Sequence, residues 1–156
     1  ALLMSSQVAL AGRPARKYAC CELGGDDSLT GTLFFWQHER GPMHVKGHLL
    51  MDAADVVVEE GTETEARYMG ISANPSDGTC LGLGALWPFE GEAVDTLQPA
   101  LFDVEGYAEY SSNSRLASLF GDDAVFGRSV SLFADETNTG VVDACCTITE
   151  MDEDAW

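Results

Sequence analysis

The segment GDDAVFGRSVSLFADE (residues 121–136) decides the fold class, because it holds a complete strand signal between two acidic turns. The pair Gly127-Arg128 opens an alternating run of small and apolar residues that ends at Phe133. Side chains alternate between the two faces of a β-strand, so this alternation predicts a strand with one face in a core. The acidic residues that follow predict a turn.

The same pattern recurs along the chain, and helical periodicity is nearly absent. The runs that predict strands are KYACCEL (17–23), LTGTLFFWQ (29–37), MHVKGHLLM (43–51), ADVVVEE (54–60), EGYAEYSS (105–112), SRLASLFG (114–121), VFGRSVSLF (125–133) and VVDACCTITE (141–150). Short strands between Gly, Asp and Pro turns predict an all-β fold, a Greek-key antiparallel β-barrel or sandwich of about eight strands. Residues 61–99, rich in Gly, Glu and Pro, are predicted to form a long loop over the barrel.

The length and the apolar content predict one compact domain, with 156 residues of which 46% are apolar. We assign residues 17–150 to the barrel, residues 1–16 to an N-terminal arm and residues 151–156 to an acidic tail. The arm contains Ala9-Leu10-Ala11, which resembles a signal-peptidase site. The arm is therefore either a signal remnant or an assembly element that adds a strand to the sheet edge of a neighbouring copy.

The charge balance restricts the partners, because 26 acidic residues against 8 Lys and Arg give a formal net charge of −18. A field of that sign repels phosphate backbones and argues against nucleic-acid binding. No apolar run reaches the ~18 residues of a membrane span, so none is predicted. Acidic runs such as GGDDS and EMDED lack the spacing of a calcium loop, so only weak divalent cation binding is expected there.

Taken in order, these segments resemble the copper, zinc superoxide dismutase family. GTLFFWQHERGPMHVKGHL is similar to the family's second and third strands, with their Gly-Pro hairpin and Val-x-Gly. EGYAEYSSNSRLASLFGDDAVFGRSV is similar to its later strands, with the Gly-Asp turn and the Gly-Arg strand opening, and DACCTIT resembles its last strand. The resemblance implies the family's Greek-key barrel.

The same resemblance implies that the family's activity is absent. The family holds copper and zinc with more histidines than the three that this chain contains. The positions that correspond to its ligands are Val57 and Glu59 on the fourth strand, Ser72 or Ala73 before Asn-Pro, Glu92 and Asp95 in the long loop, and Phe133. We therefore expect no metal, no cofactor and no catalytic residue, and we expect Val57 and Phe133 to fill the vacated site as core.

The five cysteines, Cys20, Cys21, Cys80, Cys145 and Cys146, have no zinc-finger spacing. They predict disulfides and an extracellular, oxidising compartment, and their odd number leaves one thiol or an intermolecular bridge. The resemblance places the first and last strands side by side. It implies a bridge between Cys80 and Cys145 and a second one from Cys20 or Cys21 to Cys146.

The three histidines predict a surface rather than a metal site. His44, Lys46 and His48 alternate along one strand and share its outer face, and His38 lies across the hairpin. At ~3.3 Å per residue His44 and His48 stand about 13 Å apart, too far to bind one ion together. In an acidic chain this solvated or interfacial face would suit a charge-complementary contact, which histidine protonation would tune with pH.

Two function hypotheses follow. The first is a non-enzymatic extracellular structural protein, a barrel without metal ligands that self-associates into a homo-oligomer or polymer. The second is a secreted metal-handling or carrier protein of the plasma type, which binds copper, zinc or calcium without dismutase activity. Such carriers are expected to be histidine-rich, unlike this chain. An enzyme is not predicted, because no Ser/His/Asp or Cys/His constellation is visible.

Overall fold

The structure is a computed structural model that describes residues 15–24, 29–58, 61–76, 79–84, 86, 97–134 and 142–153. Most of the predicted arm (1–14), the acidic turn at 25–28 and the end of the tail (154–156) lie outside these residues. The described elements are β1 (Arg16–Leu23), β2 (Thr30–His38), β3 (Met43–Leu50), a short 3-10 helix (Ala53–Asp55), β4 (Glu65–Ser72), β5 (Ala100–Phe102), β6 (Tyr107–Ser114), β7 (Ser129–Phe133), β8 (Val142–Thr147) and β9 (Thr149–Met151). The predicted all-β class is confirmed. In the described part of the chain, no helix has the length and apolar character that a membrane crossing requires.

The strands form two antiparallel sheets. The five-stranded sheet has the order β6-β3-β2-β1-β9, and the four-stranded sheet has the order β5-β4-β7-β8. The chain passes from β8 to β9 at Ile148, whose backbone bonds with Gly127 and Arg128 (both 2.8 Å) instead of a neighbouring strand. A single bridge, between Gly24 and Cys145, joins the end of β1 to β8. Within the described residues the strand ladders do not close into a barrel.

The core lies between the two sheets. Strands of the five-stranded sheet alternate buried and outward residues, whereas β7 in the four-stranded sheet is buried at all five positions. β6 shows the pattern most simply, with a buried residue at every second position from Ala108 to Ser114. Burial of one large apolar side chain stabilises the fold by about 1.5–3 kcal/mol. The largest fully buried side chains come from both sheets and their connections: Phe35, Phe102, Leu33, Met43, Leu49, Ile71, Leu119, Leu132, Ile148, Val45, Val125 and Val130.

Two glycines mark close backbone contacts that the sheets require. A Cβ at Gly47 would meet the carbonyl oxygen of Thr32 and the side chain of Leu33, so β2 and β3 pack closely only with glycine there. Gly106 has φ 87°, a conformation that favours glycine, and its carbonyl accepts the N–H of Met51 at 2.7 Å. The Val-x-Gly motif of β3 is therefore a packing requirement.

Tyr110 ties β6 to the segment that leads into β5. Its hydroxyl donates to the carbonyl oxygen of Gln98 at 2.7 Å, and the side chain is buried. Burial raises the pKa of this phenol far above its usual value near 10, partly offset by the hydrogen bond with Ser112. The tyrosine therefore stays neutral in the folded protein.

The strand predicted at 54–60 is wrong. Residues 53–55 form a 3-10 helix instead, because the Asp52 carboxylate accepts the N–H of Ala54 at 3.0 Å and turns the chain. Residues 56–58 belong to no strand, and residues 59–60 lie outside the described part. Residues 56–58 have strand propensity, but none of the described strands pairs with them.

The strand predicted at 114–121 is also wrong. The Ser114 hydroxyl accepts the N–H groups of Leu116 (3.2 Å) and Ala117 (3.1 Å) and bends the chain there. The N–H of Leu119 donates to the side-chain amide of buried Gln37 at 2.6 Å. Side chains thus satisfy backbone groups that a strand would leave to a neighbour.

The long loop predicted at 61–99 contains a strand, so that prediction is corrected. β4 lies inside it and pairs with β5 on one side and β7 on the other. Its inward residues Met69 and Ile71 belong to the core, but Gly and Glu residues on either side obscured the alternation. Of the described residues that follow Ser72, Leu86 forms an isolated bridge with Ser72 and packs its side chain against Gly70 on the outer face of the four-stranded sheet.

Candidate functional site

Ser72 and Phe133, two of the positions that the resemblance assigns to metal ligands, lie on the outer face of the four-stranded sheet. Both are buried, at 2% and 4% exposure. Ser72 stands opposite Ser129 and Phe133 opposite Tyr68, so the two positions are four residues apart along the ladder, about 13 Å. The structure places them on one face but does not bring them together. Glu59, Glu92 and Asp95 lie outside the described residues.

The prediction that Val57 fills a vacated core site is wrong. Its side chain is 70% exposed, and its N–H donates to the Glu65 carboxylate at 2.7 Å. The reason is the chain path, because residues 56–58 precede β4 and do not enter either sheet. Of Val57 and Phe133, only Phe133 is buried.

Hydroxyl hydrogen bonds and the side chain of Leu86 cover the outer face around Ser72. The hydroxyls of Ser72 and Ser131 are 2.6 Å apart, and the Ser129 hydroxyl donates to the carbonyl oxygen of Asn74 at 2.7 Å. Leu86 packs against Gly70, where a Cβ would come within 3.0 Å of its methyl group. Polar groups on this face are thus paired with one another, and no group of three metal-ligating side chains is found in the described residues.

A cleft of about 370 Å³ opens beside Val57 and is lined by Thr64, Arg67 and their neighbours. Arg67 forms an ion pair with Glu65 through Nη1, and its Nε lies 3.1 Å from Asp143 Oδ2. Two carboxylates therefore surround this cation, which is only 13% exposed, and the cluster carries one negative charge in excess. The guanidinium at this cleft is already paired, and the cluster joins β4 to β8.

Two cysteine pairs lie at disulfide distance. Cys21 joins Cys146 and Cys80 joins Cys145, with Cα atoms 5.3 and 5.7 Å apart. These are the pairs that the resemblance implied, with Cys21 as the partner of Cys146. Cys20 is free, because strand alternation turns it to the outer face while Cys21 is buried.

The outer face of the five-stranded sheet carries all three histidines. The His44 ring stacks on Trp36, with centroids 3.8 Å apart, and His38 contacts the edge of the same indole at 6.0 Å. His48 Nδ1 hydrogen-bonds the hydroxyl of Tyr107 at 2.6 Å. Each histidine thus has an aromatic neighbour, and each lies on the face that its spacing predicts.

The strand register places further aromatic residues beside the histidines. Tyr18 lies opposite Trp36, Cys20 opposite Phe34, and Phe34 opposite Lys46. We name this surface the aromatic face and define it by Tyr18, Cys20, Phe34, Trp36, His44, Lys46 and His48. The outward direction of the three aromatic residues here was not among the sequence predictions, although their alternation with buried neighbours indicates which way they point.

Charged residues lie at both ends of the aromatic face and in its middle row. Arg16 lies opposite His38 at the end next to the β2–β3 hairpin, beside a cleft of about 180 Å³ that Tyr18 and Trp36 also line. Glu22 and Glu109, both exposed, lie towards the other end, where Glu109 is opposite His48. Arg16 and the central Lys46 offset these two carboxylates, and Glu153, which accepts a hydrogen bond from the Tyr18 hydroxyl at 3.4 Å, leaves the face only weakly acidic in a chain of net charge −18.

No family model matches the chain, and it matches no curated protein. The geometry of the two outer faces therefore carries the functional argument.

Proposed function

We propose that the chain is a non-enzymatic extracellular structural protein that self-associates into a homo-oligomer or polymer. Its fold is a superoxide dismutase-like Greek-key sandwich without copper and zinc ligands. One observation carries this proposal: the only three histidines of the chain lie on the outer face of the five-stranded sheet, whereas Ser72 and Phe133 lie on the four-stranded sheet. The histidines thus lie on a different sheet from the two described sheet positions that the resemblance assigns to metal ligands.

The strand order supports the Greek-key part of the proposal. A Greek key has three consecutive strands and a fourth that returns beside the first. β4, β5 and β6 are consecutive, and β7 returns to pair with β4. β5 meets β6 at the sheet corner, where the N–H of Asp103 donates to Tyr107 and the N–H of Gly106 donates to Asp103, both at 2.9 Å.

The closed face around Ser72 supports a structural role. The hydroxyls of Ser72 and Ser131 hydrogen-bond each other there and the Phe133 ring is buried, so these groups are satisfied by protein contacts alone. The two disulfides support an extracellular setting, because such bonds persist in oxidising compartments.

The aromatic face supports self-association. Phe34 is 37% exposed at its centre, and Leu50 (52%) and Tyr107 (39%) flank one end. A chain of net charge −18 repels its own copies, and that repulsion is weakest where charges balance. The aromatic face comes close to that balance and also offers apolar area.

Static light scattering of the full chain, with its disulfides intact, tests the proposal over a range of concentrations. We expect a mass above the 16.7 kDa of one copy. After dialysis against copper, zinc or calcium and then buffer, we expect no dismutase activity and less than one ion per chain. A monomer at every concentration, or measurable dismutase activity, contradicts the proposal, and one tightly bound ion per chain favours the carrier function instead.

A further inference from the structure

We propose that two copies of the chain pack through the aromatic face, with their strands antiparallel, so that Arg16 of each copy lies over Glu22 of the other. This inference rests on the proposed self-association and names its surface and its geometry. The partner is a second copy of the same chain.

The order of charges along β1 carries the geometry. Arg16 and Glu22 are both exposed on the outer side of β1, six residues or about 20 Å apart. A two-fold axis that crosses the strands near Cys20 reverses the strand direction in the second copy. The Arg16 end of β1 in each copy then meets the Glu22 end of β1 in the other, so this strand is complementary to itself, as a two-fold interface requires.

The centre of the face is suited to burial. Phe34 stands between Cys20 and Lys46 in the middle row, and Tyr18 and Trp36 adjoin it. Apolar centres with polar ends are typical of protein interfaces. Lys46 lies in the row that the axis crosses; its aliphatic stem packs beside Phe34, and its ammonium group extends along the face away from the Lys46 of the other copy, as long cationic side chains commonly do.

The size of the face predicts a reversible contact. Four strands spaced ~4.8 Å apart and eight residues long cover about 19 by 26 Å, or roughly 500 Å² in plan. A standard stable interface buries about 800 Å² on each partner. We therefore expect a dimer that dissociates on dilution rather than a permanent one.

Swapping the charges at Arg16 and Glu22 distinguishes this specific contact from the effect of net charge on association. We would measure dimer dissociation constants by sedimentation for Arg16→Glu, Glu22→Arg and the double variant. Each single variant should weaken the dimer about tenfold, because the two-fold axis repeats the contact, and the double variant should restore it. Glu22→Arg lowers the net negative charge, so general repulsion alone predicts a tighter dimer for this variant. That result, or a double variant as weak as the singles, would overturn the inference.

The reactivity of the Cys20 thiol reports on burial of the same face in the original chain. It is the one cysteine outside the two disulfides, so a thiol reagent such as Ellman's reagent reads this position alone. We expect its reaction rate to fall as the protein concentration and the dimer fraction rise. In Phe34→Glu the rate should stay high at all concentrations, whereas Leu101→Glu should behave as the original chain. Leu101 is the matched control, because it is a 52% exposed strand residue in the other sheet and receives the same charge.

These outcomes separate the two proposals. If light scattering shows association while the thiol rate ignores concentration and Phe34→Glu has no effect, the aromatic face is not the interface and the proposed function stands. If the chain is a monomer throughout, both proposals fail. Unfolding of each variant in urea verifies that the fold is retained.

Discussion

Replacing Cys21 and Cys20 separately with alanine should have very different effects on stability, although the two residues are adjacent. Cys21 is buried and bonded to Cys146, and Cys20 is half-buried and free. The Cys80–Cys145 bridge stays in both variants. The loop that Cys21–Cys146 closes therefore runs from Cys21 to Cys80, across that bridge and back to Cys146, about 60 residues in all.

The chain-entropy relation for a disulfide gives about 4 kcal/mol for a loop of that length. We expect Cys21→Ala to lower the free energy of unfolding by about that amount, which is a large share of the ~5–15 kcal/mol of a typical domain. Cys20→Ala should change it by less than about 1 kcal/mol, because no bond and little buried surface are lost. The assay is urea unfolding under non-reducing conditions, followed by tryptophan fluorescence.

Peptide mapping without reduction accompanies the measurement, because Cys20 could in principle take the place of Cys21. Strand alternation argues against that exchange, since Cys20 points away from Cys146. Equal losses for the two variants, or a native bridge at Cys20, would refute the reasoning from strand faces.

Three further predictions follow from burial, backbone contact and titration. Phe133→Ala should cost about 3–5 kcal/mol in urea unfolding, whereas Val57→Ala at a 70% exposed position should cost less than about 0.5 kcal/mol, and similar losses would contradict the placement of these residues. Gly47→Ala should lower the free energy of unfolding by about 1–3 kcal/mol, because the added methyl group overpacks against β2. Gly24→Ala is the control, because a Cβ at Gly24 meets no atom within 4 Å; an equal loss in this variant would contradict the prediction. The pKa of Tyr110 is raised in the folded state, so the free energy of unfolding should be constant below pH ~10, the pKa of an unfolded tyrosine, and should fall above it. Tyr110→Phe should lower the free energy of unfolding by about 1 kcal/mol at pH ~7, because the hydrogen bond to Gln98 is lost, and should reduce the fall at alkaline pH. Urea midpoints between pH ~8 and ~11 measure both effects.

Strand alternation predicts part of the candidate site, as it predicts part of the fold, and the rest depends on how the strands pair. Spacing alone put His44, Lys46 and His48 on one outer face, and the structure places them there. Spacing could not place Trp36 against His44, because the contact depends on the register between β2 and β3. Val57 was misplaced for a related reason, since a strand-forming run becomes a strand only where a neighbour accepts its backbone hydrogen bonds.

The sequence by itself determined the all-β class, six of the strands and the outward side of β3. Local alternation and turn residues were enough for this, because side-chain direction in a strand has a period of two. The sequence also determined that two pairs of adjacent cysteines stand on strands, but it left the choice between Cys20 and Cys21 open. Only the tertiary structure decided that choice, the position of β4 within a polar segment, and the juxtaposition of Arg16 with His38. These features depend on register and on which strand lies beside which, and both are set by packing of the whole core rather than by any single segment.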